Sequence, residues 1–356
     1  MDKWFRDALR SWYLQNKRDL PWRNTKDPYK IWLSEIILQQ TQVAQGLAYY
    51  LKFTQRYSNV TELAHAGEDE VLKLWQGLGY YSRARNLLVA ANEITKLHKG
   101  VFPKQYAEIR SLKGIGDYTA AAVSSFAFGL PYAVVDGNVY RVLSRLFGID
   151  IPTDTTAGKK HFQELASALL DKTDPGSHNQ AIMEFGSQFC RPVAPACPQC
   201  VFSDKCIAFN KDLVSQLPVK SKRIRIRERH FNYLLLVDKK KNILLNRREQ
   251  NDIWKGLYEF TLVETEKELK PQQLMSLREV KQVCEPGCDI SYISPSYRHV
   301  LTHQHLHARF YIVKMNNYRH RTPSVISPVS GLEAYAFPRL IEKFLLDCDL
   351  KEIVYN

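Results

Sequence analysis

Apolar positions recur at helical spacing through the first 210 residues. Trp4, Ala8, Leu9 and Trp12 mark the first stripe. The same period runs from Tyr29 to Phe53, with Pro28 just ahead of it as a helix-start signal. Further helices are predicted over residues 68–75, 82–98, 106–112, 119–128, 139–147 and 157–170, and the turns between them carry Gly, Pro and Asp. Beyond residue 230 the pattern changes. Residues 231–237, 243–246, 257–263 and 308–313 are rich in Leu, Val, Ile, Phe and Tyr and predict strands, and residues 333–346 predict a closing helix. Between the two regimes lies LPVKSKRIRIRERH, residues 217–230, with six Lys or Arg, one Glu and no helical apolar stripe. It reads as a basic linker, either a phosphate contact or a solvated strand edge. The division expected is a helical domain over 1–216, the linker over 217–230 and an α+β domain over 231–356.

Composition narrows the class. A chain of 356 residues is long enough for two ordinary cores. Apolar residues at 45% and charged residues at 24% exclude disorder as the dominant state. Fifty Lys and Arg against 37 Asp and Glu leave a net charge of +13, which favours phosphates, in nucleic acid before anionic lipid, over mere solubility. The opening residues 1–7 mix both charges and lack a signal-peptide core. The longest weakly polar run, 120–135, contains Ser124, Ser125, Gly129 and Pro131 and falls short of the roughly 18–20 apolar residues of a membrane span. The expected compartment is a reducing cytoplasm, where clustered cysteines point to metal rather than disulfides.

Four of the seven cysteines are clustered. Cys190, Cys197, Cys200 and Cys206 form C-x6-C-x2-C-x5-C. Thiolates in so short a loop suit zinc or an iron–sulfur centre. The single tight pair and the uneven spacing favour the latter. Arg191 and Lys205 flank the ligands and could meet a DNA backbone. Leu112-Lys113-Gly114-Ile115-Gly116-Asp117-Tyr118-Thr119-Ala120 joins two helical stretches through G-x-G. Glycines there let backbone N–H groups approach an anion at a helix N-terminus, although an ordinary αα-hairpin has the same turn.

The hairpin, the segment Val134-Val135-Asp136-Gly137-Asn138-Val139 and the cysteine spacing together resemble the helix-hairpin-helix DNA glycosylases that carry a 4Fe–4S cluster. Leu20-Pro21-Trp22-Arg23, the run from Trp32 to Gln42 and Gly77-Leu78-Gly79-Tyr80-Tyr81-Ser82-Arg83-Ala84-Arg85-Asn86 look like the MutY-type adenine DNA glycosylases. The resemblance covers residues 3 to 210 and continues more weakly beyond. It implies a multidomain protein: an all-α glycosylase domain with an iron–sulfur loop, and a C-terminal α+β Nudix-like domain.

Breaking an N-glycosidic bond needs an acid for the departing base and a carboxylate facing the sugar cation. Glu35 lies on an apolar helical stretch between Leu33 and Ile36, where burial would raise its pKa, although a helical Glu is usually a surface charge. Asp136 ends an apolar run and precedes a helix, which on sequence alone reads as an N-cap. The resemblance makes Glu35 the acid at adenine N7 and Asp136 the stabiliser of the oxocarbenium ion, supported by Asn138. Tyr118 stands where bifunctional relatives carry a Schiff-base lysine, so water becomes the acceptor and a free abasic site the product. The base must leave the stack. The resemblance assigns its pocket to Arg18, Trp22, Arg23, Leu38 and Gln180. It gives the wedge and DNA contacts to Gln40, Thr41, Leu78, Tyr80, Gly114 and Gly116.

In the C-terminal domain Trp254-Lys255-Gly256-Leu257-Tyr258-Glu259-Phe260 fits the strand region of Nudix hydrolases. Arg278-Glu279 lacks the acidic pair of the hydrolase box, so the domain is expected to bind rather than hydrolyse. Arg298 to Leu306 aligns with the family's F-S-H loop, with Leu301 for Phe and Thr302 for Ser. Thr302 and His303 are the expected contacts to 8-oxoguanine opposite the adenine. Alternation would place His299, His303, His305 and His307 on one strand face, with no nearby Cys or carboxylate to complete a metal set.

The partner implied is duplex DNA carrying adenine opposite 8-oxoguanine or guanine. A sliding clamp or abasic-site endonuclease is implied beside it, and a monomer is expected, acting at a bacterial nucleoid. The rival readings are a glycosylase-lyase for oxidised pyrimidines, disfavoured by Tyr118, a non-enzymatic iron–sulfur DNA-binding regulator, and a nucleotide-pool hydrolase built on residues 231–356.

Overall fold

The computed structural model describes residues 2–221, 226–285, 288–316, 318 and 324–355. Part of the basic stretch, residues 222–225, lies outside the described residues. The chain divides into two compact units, residues 1–65 with 86–223, and residues 66–85 with 224–356.

The first unit is helical. It contains α1 (Asp2–Asn16), α2 (Pro28–Leu38), α3 (Val43–Arg56), α4 (Val60–Ala64) and most of α6 (Ser82–Leu97). It continues with α7 (Tyr106–Ser111), α8 (Asp117–Phe128), α9 (Gly137–Phe147), α10 (Thr156–Leu169), α11 (Pro175–Gln188) and α12 (Ile207–Asn210). The single apolar period read over 29–53 is two helices. The ladder stops at Leu38 and resumes at Val43, and Gln40 in the intervening turn takes φ +56°. A left-handed residue cannot continue an α-helix, and apolar spacing alone does not register it. α2 is buried on nearly every side, from Tyr29 through Ile37, and lies against α8. Glu35 is therefore carried into the interior with its neighbours. α9 and α11 cross closely: a Cβ added at Gly186 would sit 2.7 Å from Asn138 Cβ.

The second unit holds α5 (Glu68–Trp75), the start of α6, and one mixed sheet of eight strands. The strands are β1 (Arg227–Val237), β2 (Asn242–Arg247), β3 (Tyr258–Glu259), β4 (Thr261–Thr265), β5 (Asp289–Ile293), β6 (Tyr297–Leu301), β7 (Gln304–Lys314) and β8 (Ser324–Pro328). β1 runs parallel to β7 in unbroken register from Arg227↔Gln304 to Val237↔Lys314. Alternate residues of β1 enter two different cores. Phe231, Tyr233, Leu235 and Val237 pack with Phe310, Phe337 and Phe344. Leu234 and Leu236 pack with Leu274, Val280 and Tyr311. The sheet is thus covered on both faces, which is why β1 reads as a continuous apolar run. α15 (Arg339–Asp347) and α16 (Leu350–Tyr355) contribute to the first core, and α13 (Pro271–Ser276) and α14 (Arg278–Val283) to the second.

Three expectations change here. β1 starts at Arg227, four residues ahead of the predicted strand, so the end of the basic stretch is ladder. The strand read over 257–263 is two short strands. The closing helix read over 333–346 is a 3-10 turn, Val329–Ala334, and then α15, because Pro338 disfavours helix at the residue before it and can only start the next one.

Candidate active site

One cavity of about 800 Å3 opens in the helical unit, within the usual range for ligand pockets. α2 brings Glu35 and Leu38 to it, and the following turn brings Gln40 and Thr41. α8 supplies Tyr118, and the start of α9 supplies Asp136 and Asn138. α11 supplies Gln180, Met183 and Glu184, and the segment after α1 supplies Arg18, Trp22 and Arg23. Every catalytic and base-pocket residue expected from the sequence lines this one space.

Glu35 is 6% exposed. Burial pushes its carboxyl up to about 7. A hydrogen bond from Tyr118 opposes the shift, the negative charge of Asp136 adds to it, and Arg23 opposes it. The Tyr118 hydroxyl donates to Glu35 Oε2 at 2.7 Å and lies 3.8 Å from Met183 Sδ. Burial also raises Tyr118 far above the ordinary phenol range, so it remains a donor. The Glu35 carboxyl is thus half protonated near neutrality.

Asp136 is the N-cap of α9, as its position before a helix suggested. Its Oδ1 accepts from Val139 N–H at 2.8 Å, and its Oδ2 accepts from Asn138 Nδ2 at 2.8 Å. Burial raises its pKa, while these donors and Arg141 pull it down. Burial is the largest of these influences, so the Asp136 carboxyl stands above its ordinary value despite the cap. Of the two carboxyls, Asp136 has the more hydrogen-bond donors for a negative charge.

Two residues at the site escaped the sequence reading. Glu184 is 1% exposed and accepts from Arg18 Nε at 2.7 Å, from Arg18 Nη2 at 2.6 Å and from Arg23 Nη2 at 2.6 Å. Burial alone would raise it, but the hydrogen bonds from Arg18 and Arg23 bring it down to about 2. A fixed anion therefore holds both arginines on the pocket wall. The available signal was its place one helical turn after Gln180, whose Oε1 accepts from Tyr13 at 2.9 Å. Arg141 is the second. It donates to Asn138 Oδ1 at 2.8 Å, to the Gly186 carbonyl, and through Nε to the Cys190 carbonyl at 2.7 Å. It ties the first turn of α9 to the end of α11 and to the first cysteine of the cluster.

Cys190, Cys197, Cys200 and Cys206 line one small cavity with Arg145 and Phe189. Arg145 Nη1 lies 3.6 Å from Cys190 Sγ and donates to the Arg191 carbonyl at 2.7 Å. Burial, then the charges of the neighbouring thiols, pushes Cys197, Cys200 and Cys206 up, Cys200 to about 11. Among the described residues no three His, Cys, Asp or Glu side chains are placed to share a single metal ion.

The hairpin glycines differ in purpose. Gly114 takes φ +78°, and a Cβ there would meet Asn86 at 2.6 Å. Gly116 caps α8 with φ −94° and would bring its Cβ near nothing within 4 Å, so the space in front of it is open.

The remaining expected contacts, Leu78, Tyr80, Thr302 and His303, belong to the second unit. The Tyr80 hydroxyl lies 3.0 Å from Thr302 Oγ1, and His303, in the β6–β7 turn, accepts at its carbonyl from Arg227 N–H at 3.0 Å. The histidines do not share a face as alternation suggested, because His299 on β6 pairs with Leu306 and so lies on the face opposite His305 and His307 of β7, while His303 is in the turn. A carboxylate does stand beside them. Glu228 on β1 takes His305 Nδ1 at 2.8 Å and His307 Nε2 at 2.8 Å, brought there by the parallel pairing of β1 with β7. Long-range register of this kind leaves no trace in local sequence.

No helix among the described residues is long and apolar enough to cross a membrane. Residues 33–168 match the family described as HhH-GPD superfamily base excision DNA repair protein, and residues 232–347 match the NUDIX domain. The adenine DNA glycosylase of Buchnera aphidicola subsp. Baizongia pistaciae is 36% identical over 261 residues, covering 72% of this chain and 73% of its own. That of Homo sapiens is 42% identical over 213 residues, covering 57% of this chain and 39% of its own. Among solved structures, a thermostable thymine-DNA glycosylase superposes with TM-score 0.55 at 31% identity over 59% of this chain and 97% of that one. An endonuclease III trapped on DNA, at TM-score 0.52 and 21% identity over 58% of this chain and 95% of that one, shares the fold of the helical unit.

Proposed function

The chain belongs to the adenine DNA glycosylases, hydrolases of N-glycosidic bonds, and on that premise we propose that it removes adenine mispaired with 8-oxoguanine, and less readily with guanine, in base excision repair. The observation that carries the reading is the buried Glu35 carboxyl, pushed up to about 7 in the same cavity as Asp136.

Glu35 protonates the departing adenine at N7. The bond to the sugar then breaks with positive charge on the ring and no full negative charge on the base. Asp136, held by Asn138 Nδ2 and Val139 N–H, faces that cation and stabilises it. Water adds to the sugar, and Tyr118, which offers no amine, leaves an abasic site rather than a cut strand. The Glu184-anchored Arg18 and Arg23, with Trp22, Leu38 and Gln180, form the base pocket. An amide that donates and accepts suits adenine. Gln40, Thr41, Leu78 and Tyr80 hold the gap, Gly114 and Gly116 take a phosphate, and Thr302 and His303 read the opposite base.

Cys190, Cys197, Cys200 and Cys206 hold a 4Fe–4S cluster in this reading. The four thiols line one cavity, and four cysteine ligands suit an iron–sulfur centre. A cluster held by these cysteines would fix the loop that carries Arg191 and Lys205 as a cationic edge for DNA. The reading places the protein at the chromosome in the cytoplasm, with duplex DNA as its substrate and a sliding clamp or abasic-site endonuclease as protein partners.

A single-turnover assay tests it, with adenine opposite 8-oxoguanine, guanine or thymine, each read with and without alkali. The expected result is adenine loss fastest opposite 8-oxoguanine, with strand breaks only after alkali. No excision by an iron-loaded preparation that binds DNA would overturn it in favour of a regulator.

A further inference from the structure

The turn before α6 is strained. Gly77, Gly79 and Tyr80 take φ +98°, +73° and +47°. Glycine adopts such angles freely, but a tyrosine in the left-handed region costs about 1–2 kcal/mol and persists only where its surroundings enforce it. The result of the strain is an outward ring, for Tyr80 is 52% exposed beside the fully buried Trp75.

The enforcing group is Arg83, itself 8% exposed. Its guanidinium lies 5.0 Å from the Trp75 ring and 5.7 Å from the Tyr80 ring. Its Nη2 donates to the Leu78 carbonyl at 3.3 Å and to the Gly79 carbonyl at 3.1 Å, and Trp75 Nε1 donates to that same Gly79 carbonyl at 3.1 Å. One planar cation therefore gathers two carbonyls of the strained turn while facing two aromatic rings. A lysine keeps the charge but replaces the planar guanidinium with a shorter, compact ammonium that stacks less well on the two rings.

We infer that Arg83 is a positioning residue for base extrusion: it locks the Gly77–Tyr80 turn so that the Tyr80 ring is presented to the duplex before DNA arrives. The inference rests on the reading of Tyr80 as the wedge. Pre-paying the strain in the free protein removes an ordering cost from the encounter, so the effect falls on wedge insertion and on discrimination between mispairs.

The test is a double-mutant cycle of Arg83→Lys and Tyr80→Leu on the full chain. One readout is single-turnover excision opposite 8-oxoguanine and opposite guanine. The other is the fluorescence of 2-aminopurine beside a cleavage-resistant 2′-fluoroadenosine mispair, which rises when the stack opens. Arg83→Lys alone is expected to slow excision about tenfold and to suppress the fluorescence rise, the loss of roughly one cation–π contact and one hydrogen bond. In the Tyr80→Leu background it is expected to change neither. Equal effects of Arg83→Lys in both backgrounds, or no effect in either, would overturn the inference while leaving the wedge intact. A Tyr80→Leu protein with normal excision and a normal fluorescence rise would overturn the wedge reading itself. Arg83→Met, which keeps the buried length, enters the same cycle should Arg83→Lys not fold.

Discussion

At the scale of single residues, Glu35 is bound to be a liability to stability. Its folded pKa lies near 7 against an ordinary 4.5, so the folded state holds the proton more tightly than the unfolded one. Its neutral form contributes fully below pH 4.5. That contribution is lost as pH rises to about 7, a total of about 3 kcal/mol. Glu35→Gln keeps the shape without the charge. It is expected to match the parent in stability at pH 4.5 and to exceed it by up to about 3 kcal/mol at pH 8, while excision falls at least about 100-fold. Urea unfolding at the two pH values measures this, and an equal difference at both would refute it. Tyr118 acts in the opposite sense, since its hydrogen bond favours the ionised carboxyl. Tyr118→Phe should therefore move the alkaline fall of the single-turnover rate to higher pH, whatever it does to the maximum. A limb that stays in place or moves down would break the link between hydroxyl and acid.

At the scale of elements, α9 does two jobs at its first turn. Asp136 caps the helix and faces the cavity. Asn caps a helix as well as Asp, so Asp136→Asn is expected to keep or raise the melting temperature while excision falls about 100- to 1,000-fold. A loss of both in proportion would mean the carboxylate matters only as a cap. The crossing of α9 with α11 fixes where that turn sits, because Gly186 admits Asn138 at a distance no side chain allows. Gly186→Ala must push the two helices apart, at a cost of about 1–3 kcal/mol. It is expected to slow excision with affinity for an abasic-site duplex unchanged, read by titration and single turnover side by side. These two cases show what the sequence could convey. Asp136 and Glu35 were legible as candidates because each sits in a contiguous motif with a family likeness, and both line the one cavity. α11 was not predicted, since the run Gly176-Ser177-His178-Asn179-Gln180 hides its period behind polar residues, and with it went Glu184. Arg141 was illegible for a different reason: beyond its local bond to Asn138, the bonds that tie it to Gly186 and Cys190 span 45 and 49 residues, and only packing brings those partners to it.

At the scale of the whole molecule, affinity and discrimination draw on different charges. A net charge of +13 favours the phosphate backbone of any duplex, and binding through phosphates falls with salt by a log–log slope of about −0.9 per contact. Thr302, proposed to read the opposite base, carries no charge. Thr302 offers a hydroxyl at the β6–β7 turn, where the Tyr80 hydroxyl meets it at 3.0 Å. Phosphate contacts are common to an 8-oxoguanine duplex and a guanine duplex, so they cancel in the ratio of the two affinities. The ratio should therefore stay nearly constant between about 50 and 200 mM salt, while each affinity falls by orders of magnitude. Thr302→Ala should do the reverse, lowering the ratio by roughly the fivefold to tenfold worth of one hydrogen bond and leaving both salt slopes unchanged. Equilibrium binding to the two duplexes across the salt series, for both proteins, separates the terms. A ratio that collapses with salt in the parent would mean that the lesion is read through charge, and that Thr302 is a bystander to it.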